Sequence, residues 1–193
     1  SYTDANIGRV LAELDRLGLR EDTMVVLWGD HGWQLNSHGQ WAKHTNFEKA
    51  THSTLIASTP GQKQRGVKCD ALVEFVDIYP TIADASGLKV PTELEGRSFL
   101  PLLENPKRKW KTAAFSQYPR GKKVMGYTIR TARYRLTEWT SVDTKEVSAR
   151  ELYDYEADPK ETVNHAGKPE RAALVAQLSK QLQAGWRGAL PPK

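Results

Sequence analysis

Apolar residues at Ile7, Val10, Leu11, Leu14 and Leu17 fall at helical spacing, with Thr3 or Asp4 placed to cap and Gly18 to terminate. They predict an amphipathic helix over residues 3–17. Residues 23–28 form a short run that is almost wholly apolar and rich in β-branched side chains, the pattern of a strand buried on both faces of a parallel sheet. Leu55-Ile56-Ala57-Ser58 repeats it and closes at Pro60-Gly61, and residues 62–70 are polar and loop-like. Leu72, Val76, Tyr79, Ile82 and Ala83 predict a helix over 72–85, with Pro80 in an early turn or dividing the segment in two. Residues 91–106, with three prolines and Gly96, read as a surface loop.

Beyond residue 113 the period shortens. Residues 113–118, 124–130, 134–140 and 151–155 alternate or carry aromatic and β-branched side chains between turns, which predicts an antiparallel sheet of short strands. Residues 170–186 close the chain as a helix, with Ala173, Leu174, Leu178 and Leu182 on one stripe. The expected boundary lies near residue 108. Residues 1–107 would end a larger α/β domain and residues 108–193 would form a small α+β subdomain.

Charge and composition narrow the classes a little. The 193 residues hold 28 Lys and Arg against 23 Asp and Glu, a net +5 that favours anionic partners without singling out nucleic acid. The run from Pro106 to Lys111 reads as a solvated connector, and no nucleic-acid role is expected. Cys69 stands alone, so neither an intrachain disulfide nor a cysteine zinc cluster is available. No segment has the apolar length of a membrane span, and the first residues lack the order of a signal peptide.

The chemistry concentrates in residues 25–48, VVLWGDHGWQLNSHGQWAKHTNFE. In open α/β sheets ligands sit at the carboxyl ends of strands, and Gly29-Asp30-His31-Gly32 lies at such an end. A carboxylate and an imidazole can both hold a divalent cation. Two donors do not complete a shell, because zinc takes four and calcium six to eight. Taken singly the dipeptide reads sooner as a strand-end turn, Lys43 as a solvated lysine, and His38 and His44 as hydrogen-bonding residues.

Their order resembles the second half of a type I sulfatase, of the iduronate type. The resemblance runs through Asp-His-Gly-Trp, then His-Gly-x-Trp-Ala-Lys, then Asn-Phe-Glu-x-Ala-Thr-His, and extends to FVDIYPTIADASGLKVP, SQYPR, MGYTIRTARYRLTEW and ELYDYEADPKETVNHA. It implies the C-terminal part of an alkaline-phosphatase-like α/β/α domain, followed by a small α+β subdomain with an antiparallel sheet and a C-terminal helix. It also implies hydrolysis of sulfate esters of carbohydrates with a divalent cation, calcium above others, and a formylglycine nucleophile. On this likeness Asp30 and His31 match metal ligands and Lys43 the lysine on the sulfate and bridging oxygens. Trp33 falls on the pocket rim, and His38 and His44 are expected to orient Lys43 or touch the sugar. Gln117, Tyr118 and Arg120 could reach the pocket from the small subdomain. Family habit places such enzymes outside the cytoplasm, in periplasm or medium ahead of lysosome.

Two departures and one absence qualify the likeness. Many sulfatases carry Asp-Asn where this chain has Asp30-His31, and His52-Ser53-Thr54 stands where relatives place valine and proline. Neither the Cys/Ser-x-Pro-x-Arg motif nor an Asp-Asp pair occurs; Cys69 precedes Asp70-Ala71, and Ser58-Thr59-Pro60-Gly61-Gln62 lacks the arginine. The expectation is therefore a C-terminal portion, inactive without an N-terminal portion of the same protein that carries the formylglycine. The alternatives are a phosphodiester or phosphonate hydrolase of the same superfamily, and a non-catalytic carbohydrate-binding module.

Overall fold

The computed structural model describes residues 1–191. Two compact units emerge, one of residues 1–27, 55–69 and 75–107, the other of residues 28–54, 70–74 and 108–193.

In the first unit α1 (Tyr2–Arg16) is capped two residues ahead of the earlier expected position, by Ser1, whose hydroxyl accepts from the Asp4 amide at 3.3 Å. Gly18 takes φ 69° after the helix. Its amide donates to Asp15 and that of Leu19 to Leu14, so the last carbonyls are satisfied. β1 (Val25–Trp28) pairs with a strand over Leu55–Ser58 in a two-stranded sheet. The expected burial on both faces is not reached: Trp28 is 47% and Ile56 59% exposed. A two-stranded sheet cannot cover itself.

A 3₁₀ turn over Phe75–Asp77 leads into the helix Ile78–Ala85. Pro80 is its third residue, where its missing N–H costs no hydrogen bond. Residues 72–74 are not helical, so the predicted helix starts late. Buried Asp77 accepts from the Arg97 amide at 2.7 Å, and Thr81 Oγ1 accepts from the Phe99 amide at 2.9 Å. These bonds pin the stretch read as a loop, which also contains a short helix at Leu100–Glu104 that begins beside Pro101.

The second unit is built on an antiparallel sheet whose strands, each of eight residues, lie in chain order. Counting the short elements described below, they are β5 (Ala113–Arg120), β6 (Val124–Thr131), β7 (Tyr134–Ser141) and β8 (Val147–Asp154). Alternation gives the sheet two different faces. One carries Ala113, Ile129, Leu136 and Leu152, which pack on Val175 and Leu178 of the C-terminal helix Ala172–Gly188. The other carries Tyr118, Gly126 and Trp139 in one cross-strand row, Thr128 opposite Thr137 in the next, and Arg130 opposite Arg135 after that. That face is buried and polar: Thr128 and Thr137 are each 1% exposed, with hydroxyl oxygens 2.8 Å apart. Among the described residues no helix is long and apolar enough to cross a membrane.

Candidate active-site loop

Residues 28–54 belong to the second unit. Within them β2 (Gln34–Leu35) and β3 (Trp41–Ala42) make a two-residue hairpin, followed by α2 (Glu48–Thr51); β4 is the strand Leu55–Ser58 of the first unit. The ends of this stretch are fastened by backbone bonds. The Gly29 amide donates to the Thr54 carbonyl at 3.0 Å and the Gly32 amide to the Ala50 carbonyl at 2.9 Å. Gly32 passes so close to α2 that a Cβ there would run into the Lys49 carbonyl. Only glycine fits.

His31 is oriented from behind. Its Nδ1 lies 2.8 Å from the Gly32 carbonyl, which can only accept, so Nδ1 carries the proton and Nε2 presents a lone pair. Two groups face that lone pair: Lys43 Nζ at 2.7 Å and Asp30 Oδ2 at 3.3 Å. Trp33 stands beside His31 with ring centroids 5.9 Å apart and is half exposed. Asp30, His31, Lys43 and Trp33 thus come together from two turns twelve residues apart. The other two histidines do different things. His44 Nδ1 is 2.6 Å from the Tyr118 hydroxyl of β5. His38 stacks on Phe47 at 3.8 Å and 7°, turned toward Glu161, whose Oε2 is 3.9 Å from Nε2.

The donor set bears on a metal directly. With metal–ligand bonds of about 2.0–2.6 Å, neighbouring donors of one shell lie about 3 Å apart. The Asp30–His31 separation fits that, and the Gly32 carbonyl gives His31 the outer partner a metal-bound imidazole needs. Among the described residues no group of three or more His, Cys, Asp or Glu could hold an ion. The pair fits as part of a shell, not a whole one. Cys69 is exposed, its thiol 3.4 Å from the Pro106 carbonyl.

The sequence reading missed the buried charges behind the loop. Arg135, Glu48, Glu161 and Tyr155 form a connected cluster, with Arg135 2% and Glu161 3% exposed. No local signal marked them, because Arg135 is seen to be buried only once both faces of its strand are covered in the fold.

A family model for the C-terminal region of N-sulphoglucosamine sulphohydrolase matches residues 36–187. The chain belongs to that sulfatase family. Human iduronate 2-sulfatase is 33% identical to it, over 82% of this chain and 41% of the human protein. A protein solved with its substrate D-glucosamine-2-N,6-O-disulfate superposes with a TM-score of 0.86 at 32% identity, over 96% of this chain and 38% of that one. A phosphonate monoester hydrolase from Silicibacter pomeroyi superposes at 0.84 with 29% identity, over 97% of this chain and 39% of that one. The chain thus has the fold of the C-terminal portion of the alkaline-phosphatase-like sulfatases, as its sequence predicts, and spans about two fifths of these relatives.

Proposed function

We propose that this family member is the portion of a carbohydrate sulfatase that supplies part of the cation site and the lysine that meets the sulfate ester. The observation that carries the reading is the convergence of Asp30 Oδ2 and Lys43 Nζ on His31 Nε2, at 3.3 and 2.7 Å, in a chain of sulfatase lineage. Asp30 and His31 would hold a divalent cation, most suitably calcium given the family pattern, with further ligands and a formylglycine from a portion this chain does not span. When bound, the cation supplies Lewis acidity and the formylglycine an oxygen nucleophile.

The chain's own residues do the rest. Lys43 carries three donors and a full positive charge, which suits it to the sulfate oxygens and to the oxygen that leaves with the sugar. One lone pair on His31 cannot serve lysine and cation together, so with a cation held there Lys43 would be left to meet the ester. His31 stays oriented by Gly32 throughout. Trp33 stands two residues after His31 and His44 directly after Lys43, both suited to sugar contact, and the His44–Tyr118 bond offers a route for β5 to shape specificity. His38 would act by holding the loop. A sulfated glycan is the expected substrate class, and a location outside the cytoplasm follows family habit.

A second reading keeps the residues and changes the bond, because the phosphonate hydrolase superposes almost as well. A lysine and a cation serve a phosphonate ester by the same electrostatics. The test is hydrolysis of an aryl sulfate and an aryl phosphonate by the longer gene product, its Lys43→Ala variant and this chain alone. Sulfate turnover by the longer product, lost in the variant and absent from the chain alone, is expected. Preference for the phosphonate would select the second reading, and hydrolysis of neither would overturn both.

A further inference from the structure

The polar face of the sheet carries a cluster of buried charges whose place stability alone does not explain. Arg135 spends its whole guanidinium on it: Nη1 on the Asn46 carbonyl, Nη2 on the Glu48 carboxylate and, at 3.1 Å, on Thr51 Oγ1, and Nε on the Tyr155 hydroxyl at 2.6 Å and Glu161 Oε1 at 3.0 Å. Glu161 accepts in turn from the Tyr155 hydroxyl at 2.5 Å and, through Oε2, from the Glu48 amide at 2.9 Å. Buried ion pairs commonly return less than their desolvation takes, and apolar replacements of like volume often match them. What a planar, fully engaged guanidinium does supply is fixed geometry.

That geometry is delivered to the active-site loop at both ends. Glu161 lies beside His38, and its partner Arg135 grips Asn46, Glu48 and Thr51. Asn36 and His38 at the first grip, and Ala42 between the two, hold φ of 67°, 57° and 70°, a region that non-glycine residues occupy when their surroundings impose it. Lys43 follows Ala42 directly, and its carbonyl accepts from the buried Thr45 amide at 2.8 Å. The grip on α2 also reaches His31: the Ala50 carbonyl holds the Gly32 amide, and the Gly32 carbonyl holds His31 Nδ1.

We infer that Arg135 and Glu161 are positioning residues, a buried clamp that fixes α2 and the left-handed segment so that His31 and Lys43 meet. Neither touches Lys43. The inference concerns loop order in this chain, and only its kinetic arm rests on the sulfatase reading.

The test pairs hydrogen exchange with kinetics. Arg135→Met/Glu161→Leu removes both buried charges and fills the space, while Glu48 keeps its contacts with Arg130 and His52. The clamp predicts at least tenfold faster exchange at the Gly32, Thr45 and Thr51 amides, while the Ile129 and Leu136 amides exchange as in the wild type. Arg135→Lys keeps the charge but loses the fork, serves if the double variant does not fold, and is expected to loosen the same amides to a smaller degree. In the longer gene product the double variant should lower kcat at least tenfold with a smaller change in KM, and Arg135→Lys should recover part of the loss. Wild-type exchange at the three amides in a folded variant overturns the inference, as does uniform acceleration across the sheet. If exchange rises selectively but the wild-type longer product hydrolyses no ester, the clamp stands and the sulfatase reading falls.

Discussion

Lys43 Nζ lies 2.7 Å from Nε2 of His31, and the Gly32 carbonyl holds the opposite nitrogen of the same ring at 2.8 Å. The imidazole is therefore fixed in orientation and tautomer before any ligand arrives, which is the condition for a preorganised electrostatic site. Lys43 is exposed and makes no core contact, so Lys43→Ala should leave the fold intact. Turnover of a sulfate ester by the longer gene product should fall about 10²–10³-fold, the range for losing one preorganised donor to developing charge. Steady-state kinetics beside a circular dichroism melt would check both halves.

His31→Ala acts on a different step. It removes one of the two donors this chain can offer a cation, leaving Asp30 alone at an exposed strand end. Calcium affinity of the longer product should drop at least tenfold, the lower range even for partners outside the first shell. Titration calorimetry would show it. Unchanged affinity would remove His31 from the ligand set.

Gly126 sits at the crossing of the sheet and the loop. A Cβ built on it would overlap Asn46 Nδ2 and the Trp139 ring, and Asn46 Nδ2 itself donates to the Gly126 carbonyl at 3.1 Å. Gly126→Ala should therefore cost about 1–3 kcal/mol, as overpacking does, although alanine suits a strand better than glycine. A shift in urea midpoint with unchanged slope would confirm a native-state clash.

How much of this was legible depended on whether the signal was local. Gly29-Asp30-His31-Gly32 and Trp41-Ala42-Lys43 are each a contiguous run, so the chain alone marks the candidate site. The period-2 pattern from Ala113 onward gave the sheet, while the packing of its Ile129, Leu136 and Leu152 on the final helix came only with the fold. Arg135 was invisible as a buried residue because its partners, Glu48 and Glu161, lie 87 residues before it and 26 after it. The helix at Leu100–Glu104 hid behind Pro101, which breaks helices in their interior but is welcome in the first turn. Residues 23–28 read as doubly buried from apolar content alone, yet burial depends on neighbouring strands that a local window does not contain.

Thr128 and Thr137 face each other across β6 and β7 with hydroxyls 2.8 Å apart and side chains out of reach of water. Thr128→Val or Thr137→Val alone strands the other hydroxyl and should cost about 1–3 kcal/mol. The double substitution strands neither and fills the same volume. With the double variant close to neutral, a double-mutant cycle should then return a coupling of about 2 kcal/mol or more, read from denaturation of the four proteins.

Acidity should act on the clamp through His52 and Glu48, one helical turn apart and 3.1 Å from ring nitrogen to carboxylate. The hydrogen bond to Glu48 raises His52 above its ordinary 6.5, against burial and the charges of Arg130 and Arg135. A raised value means that the folded state holds the proton more tightly. That contribution is complete below 6.5 and fades as pH climbs through the folded value. Because the His52 side chain is 75% exposed, solvent screening limits it to about 0.5 kcal/mol. Glu48 runs the opposite way. Burial pushes its carboxyl up, but hydrogen bonds from His52 and Arg130 and the charges of Arg135 and Arg130 prevail and hold it far below the ordinary 4.5. Its contribution is present above 4.5 and is lost as the medium becomes strongly acid. Urea denaturation across pH should show a shallow decline above 6.5 and a steep one below 4.5, with stability nearly level between. His52→Gln should flatten the alkaline limb and weaken the acid limb without abolishing it, since Arg130 and Arg135 still hold Glu48. An alkaline decline of unchanged size in that variant would assign the limb to another group.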